Sequence, residues 1–119
     1  MEGIRAAADF TQVPWVKRQF SAKLDLDAYP GTLNLEIEGD DLRTFETLKA
    51  GAGIEITPEQ ASFCSAKCYP VLIAGQVRGA IVLPLVPDYP GNKMELIAPV
   101  HVRKTLSLGA GDLVEVEVL

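Results

Sequence analysis

The sequence predicts a mainly β, single-domain barrel carrying two or three short helices. From residue 53 onward, short runs of apolar or alternating residues recur between Gly and Pro markers: "GIEIT", "SFCSAKCYPVLIAG", "VRGAIVLPLV", "KMELIAP" and "DLVEVEVL". This half offers a single small helix candidate, in "VRKTLSL", whereas a parallel sheet needs a helical crossover between successive strands. The 119 residues fit one compact unit, 1–119, with no repeat or low-complexity segment.

The elements follow in order. In "VPWVKRQFSAKL", Pro14 stands at a helix start and Val16, Phe20 and Leu24 recur at four-residue spacing, so an amphipathic helix is expected with Trp15 and Phe20 in the core. "PGTLNLEIEG" then reads as a turn running into a strand: Leu33, Leu35 and Ile37 share one face, Thr32, Asn34 and Glu36 the other. "DDLRTFETLKAGAG" gives a second helix, with Asp40 or Asp41 as its cap, Leu42, Phe45 and Leu48 facing inward and Gly51 as its stop. In the last strand Val114, Val116 and Val118 alternate with Glu115 and Glu117, which predicts one buried and one wet face. Pro99 ends the strand that contains Glu95.

Composition narrows the function. With 16 acids against 11 bases and a formal charge of −5, nucleic acid is disfavoured as the main partner, since phosphate binding rests on clustered Lys and Arg. No apolar run approaches the roughly 20 residues that cross a bilayer, and "MEGIRAAADF" has neither a basic nor an apolar leader region. A cytoplasmic protein without a membrane partner is expected. Cys64 and Cys68 lack the spacing of a zinc knuckle or redox pair and read as small buried or half-buried thiols; His101 is the only histidine. P-loop, G-x-S-x-G, H-E-x-x-H and strand-borne G-x-G-x-x-G signatures are absent.

Two constellations have chemical content. Thr32 and Asn34 offer neutral oxygens of the kind a hard cation such as Mg²⁺ accepts, with substrate phosphates completing the shell; the same residue types after a turn also serve as plain solvated or turn-capping side chains. Glu95, on an otherwise apolar strand, could accept hydrogen bonds from a polar ligand ring, and Arg103 and Lys104 could meet phosphate, or all three could be solvated surface charges.

"PGTLNL" together with "MELIAPVHVRKTLSLGAGDLVEVEV" resembles the archaeal CTP-dependent riboflavin kinase family, and "CYPVLIAG", "RGAIVLP" and the Tyr89-Pro90 pair extend the likeness over most of the chain. The resemblance implies a cradle-loop β-barrel that transfers the γ-phosphoryl of CTP to the 5′-hydroxyl of riboflavin, giving FMN and CDP. It implies Mg²⁺ at Thr32 and Asn34, a flavin contact at Glu95, and a nucleotide site built from Pro99, Val100, His101, Val102 and Arg103 together with Gly3 and Arg5 of an N-terminal loop. No residue is carried over as a catalytic base.

Two departures accompany it. The family's glycine-rich loop corresponds here to "GIRAAADF", where Arg5 and Ala7 replace glycines; their Cβ atoms restrict close backbone approach, so Arg5 would reach phosphate by its side chain. Pro87 stands two residues before Tyr89, where the family has a flavin-contacting Thr. These departures motivate a second expectation, a relative that binds nucleotide, flavin or another small ligand without turnover. A third comes from "VRKTLSLGAGDLVEVEV", which also resembles the helix-turn-strand of AbrB-like DNA-binding proteins; the charge of −5 argues against it.

Overall fold

A computed structural model describes residues 10–59 and 65–119. In chain order the elements are α1 (Pro14–Leu24), β1 (Leu33–Glu36), α2 (Asp40–Lys49), β2 (Ile54–Ile56), β3 (Ala66–Ile73), β4 (Val77–Pro84), β5 (Lys93–Ile97), α3 (Val102–Thr105) and β6 (Val116–Val118). The strands form one antiparallel sheet in the order β1-β5-β4-β3-β2, with β6 joined to β3 beside β2. The sheet curls into a half-barrel.

Each face carries its own core. On one, Trp15, Val16 and Phe20 of α1 pack with Leu26 and Ala28 on Ile56, Ala66, Cys68, Ala80, Val82 and Ile97. On the other, Phe45 of α2 and Val102 of α3 close over Tyr69, Val71, Ile73, Ile81, Leu83, Met94 and Leu96. Strand β4 feeds both, Ala80 and Val82 to one side, Ile81 and Leu83 to the other, which is why its sequence is almost uninterruptedly apolar. Gly79 allows the curl at that point: a Cβ there would stand 2.2 Å from the carbonyl oxygen of Ile97. Pro70 lies within β3 without disrupting a ladder. Its carbonyl accepts from Leu119 N–H (3.0 Å), so its nitrogen also faces the β2/β6 side, at the gap between the segments paired to those two strands.

Helix α1 is strapped to the sheet by polar groups as well. Gln19 donates to the Thr57 carbonyl (2.7 Å) and accepts from the Thr57 N–H (2.8 Å), pairing backbone groups just past β2 as a neighbouring strand would. At the far end of α2, Lys67 donates to the carbonyls of Lys49 (2.6 Å) and Gly51 (2.9 Å), satisfying C-terminal acceptors that the helix itself leaves open.

Two local expectations need correction. The N-cap of α2 is Gly39, with no side-chain cap bond, while Asp40 and Asp41 occupy the first turn, where their charge suits the positive end of the helix dipole. Val118 is 47% exposed although Val114 and Val116 are half-buried against the core, because β6 adds only three residues at the side of β3 and its last residue runs past the apolar cover. Cys68 is fully buried, and burial pushes its thiol up to about 12; Cys64 lies outside the described residues. Among the described residues no helix is long and apolar enough to cross a membrane.

Candidate functional site

The site grows out of the Pro-Gly turn. Gly31 takes φ of +98°, a backbone conformation that side chains resist, and its N–H donates to Oγ1 of the buried Thr11 (3.0 Å). This bond ties the entry of β1 to the segment leading into α1. Tyr29 N–H donates to the Ala98 carbonyl (2.8 Å), so the loop is bound to the end of β5 before the ladder begins.

The ladder then sets Asn34 directly opposite Glu95 and Leu33 opposite Leu96. Residues directly opposite share a face, so the side chains of Asn34 and Glu95 emerge together while Met94 and Leu96 enter the core on the other side. Thr32 Oγ1 lies 3.1 Å from Asn34 Oδ1 and 3.2 Å from Glu95 Oε1. The remaining oxygen of Glu95, Oε2, accepts a short hydrogen bond from the Tyr89 hydroxyl. Burial, then the hydrogen bond to Glu95 and its negative charge, push the Tyr89 phenol well above its ordinary range, so it remains a donor.

Thr32, Asn34 and Glu95 are thus brought together, from strands 63 positions apart in sequence. Glu36 shares their face farther along β1, exposed and opposite Lys93, outside this hydrogen-bonded group. Thr32 and Asn34 offer two neutral oxygens of the kind a hard cation such as Mg²⁺ takes, with the anionic Glu95 beside them.

The segment from Pro99 to Arg103 follows β5 directly. Pro99, Val100 and Arg103 are exposed, whereas the Val102 side chain is buried in the core. His101 caps α3, its Nδ1 accepting from Lys104 N–H (3.2 Å), and its ring meets that of Tyr29 edge-on at 5.3 Å. Tyr29 therefore links this segment to the turn that carries Thr32. Gly3 and Arg5 lie outside the described residues; Pro87 is exposed in the β4–β5 connection.

Sequence reasoning gave Tyr89 no role. The signal available was its place six residues before Glu95 across "YPGN", a turn after which the chain runs back so that the hydroxyl reaches Glu95.

The fold and these contacts define a class: a small antiparallel half-barrel with an oxygen-rich site on the sheet face beyond its own core. A family model labelled CTP-dep_RFKase, and described as a domain of unknown function, DUF120, matches residues 1–118. The chain belongs to this CTP-dependent riboflavin kinase domain family. It is 37% identical over 120 residues to the riboflavin kinase of Archaeoglobus fulgidus, covering 98% of this chain and 51% of that protein. To that of Methanocella arvoryzae it is 42% identical over 100 residues (84% and 45%), and to that of Methanosarcina barkeri 30% over 120 residues (98% and 53%). The chain spans about half the length of the curated relatives it matches.

Proposed function

We infer that residues 1–119 form one kinase domain that transfers the γ-phosphoryl of CTP to riboflavin, yielding FMN and CDP, in the cytoplasm. The observation that carries this reading is the 3.2 Å approach of Thr32 Oγ1 to Glu95 Oε1, which supports placing the proposed cation pair and the proposed flavin contact in one site. Membership of the family supports the choice of substrates.

In this reading Thr32 and Asn34 hold Mg²⁺, which when bound neutralises charge on the phosphate oxygens. Glu95 accepts from polar groups of the flavin and fixes its orientation. The exposed Arg103 and the backbone of Pro99 to Val102 receive the nucleotide, with Tyr29 and His101 bounding it on the side of the Pro-Gly turn. Gly3 and Arg5 complete the phosphate contacts. Phosphoryl transfer relies chiefly on alignment and charge stabilisation, so no side chain is assigned as a strong base.

Incubation with riboflavin, CTP and Mg²⁺, resolved by chromatography, is expected to give FMN and CDP. Absence of FMN with every nucleoside triphosphate tried would overturn the kinase reading; a thermal shift by riboflavin or CTP without product would replace it with ligand binding alone.

A further inference from the structure

The hydroxyl of Thr32 has one proton and faces two acceptor oxygens, Asn34 Oδ1 at 3.1 Å and Glu95 Oε1 at 3.2 Å. Only one of them can receive it. If the proton goes to Asn34, its hydrogen fills the space between the two oxygens that a cation would share. If it goes to Glu95, the lone pairs of Thr32 Oγ1 and the carbonyl oxygen of the exposed Asn34 side chain are both open toward the same point.

What decides between the two is the position of the Glu95 carboxylate, and that is set by Tyr89. The phenol donates to Oε2, leaving Oε1 turned to Thr32. Tyr89 is itself held from several sides: its N–H donates to the Val86 carbonyl (3.3 Å), its ring has Lys93 Nζ 5.5 Å from the centroid, and Lys93 N–H returns to the Pro90 carbonyl (3.3 Å).

We propose that Tyr89 is a positioning residue for a divalent-cation site: through Glu95 it commits the Thr32 proton toward β5 and leaves Thr32 Oγ1 and Asn34 Oδ1 facing the ion. This rests on the reading of Thr32 and Asn34 as the cation ligands and adds the outer partner that orients them, as second-layer hydrogen bonds do at other metal sites. It also makes Glu95 a shared element: the carboxylate that orients Thr32 beside the ion is the one that accepts from the flavin.

The test is titration of the full chain with Mn²⁺ in the presence of CDP, following loss of the free-ion EPR signal, for the wild type, Tyr89→Phe, Glu95→Ala and the double variant. Tyr89→Phe is expected to weaken Mn²⁺ binding by about tenfold, the lower end of what loss of an outer partner costs, with its thermal midpoint close to that of the wild type. Because Tyr89 acts through Glu95, it should add no further loss in the Glu95→Ala background. Unchanged Mn²⁺ affinity in Tyr89→Phe, or the same loss with and without Glu95, would overturn the proposal while leaving the ligand pair standing. Failure of the wild type to bind Mn²⁺ at all would overturn the ligand pair, and the positioning role with it.

Discussion

One face of the sheet is used in two ways. Under α1 it is a core: Ile56, Cys68, Ala80, Val82 and Ile97 lie beneath Trp15, Val16 and Phe20. Two residues back along β5, from Ile97 to Glu95, the same face becomes polar, and it stays so across to Asn34 and Thr32. The backbone is the same antiparallel ladder in both halves, and among the described residues α1 packs on the first. Where the helix lies overhead, a polar side chain would lose its water without gaining a partner; beyond it, the oxygens can be left to face a ligand. The rim of the helix is therefore also the boundary between stability and chemistry.

The largest effect is expected within the covered half. Gly79→Ala would drive a Cβ into the Ile97 carbonyl oxygen, 2.2 Å away, and a backbone atom cannot rotate aside. Strands β4 and β5 would have to part beside the buried Ala80–Ile97 pair, so denaturant unfolding should show a loss of about 4 kcal/mol or more, among the severe single substitutions.

A smaller effect sharpens the character of the covered half. The ordinary thiol value of 9.0 is raised to about 12 at Cys68, first by burial and against the opposing charge of Lys23. The native thiol therefore keeps a proton that the unfolded chain loses above pH 9.0, so stability is fully present below that value and declines as pH rises toward 12. Between pH 8 and pH 10 the contribution should fall by about 1.4 kcal/mol, the worth of one pH unit of differential protonation. A Cys68→Ala variant, compared by unfolding at both pH values, should lack that part of the decline; an identical decline would show that the thiol is not shielded.

The smallest effect on stability, paired with a large one on function, belongs to the open half. Asn34 is exposed, so Asn34→Ala should change unfolding free energy by less than about 0.5 kcal/mol. On the proposed role of Asn34 as a direct ligand, Mn²⁺ affinity and FMN formation should nonetheless fall by at least about tenfold, since a direct ligand is worth no less than an outer one. A destabilisation comparable to a core truncation, with Mn²⁺ binding intact, would erase the distinction between the two halves.

Much of this was legible in the residues, and for definite reasons. The four-residue spacing of Val16 and Phe20 after Pro14 located α1, and the alternation in "TLNLEIE" correctly put Leu33, Leu35 and Ile37 opposite Thr32 and Asn34. The short runs between Gly and Pro marked the remaining strands because a strand's period and its breaks are both local properties. Errors fell where a local rule met a competing local choice: Gly39 rather than an Asp caps α2, and Val118 alternates correctly yet overhangs the edge of the core. Of the candidate residues, Val102 turned inward, a fact that depends on where α3 sits against α2 and the sheet.

By itself the sequence determined the strands, the helices, the faces of β1 and, through the "PGTLN" and "ELIAP" motifs, the family. Periodicity and turn chemistry act over a few residues, and motifs are read in the same range. Only the tertiary structure decided that Thr32 meets Glu95 and that Tyr89 holds the other end of that carboxylate. Those contacts depend on the register between β1 and β5 and on the path of the loop before β5, which arise from packing across more than sixty positions of chain rather than from any short stretch of it.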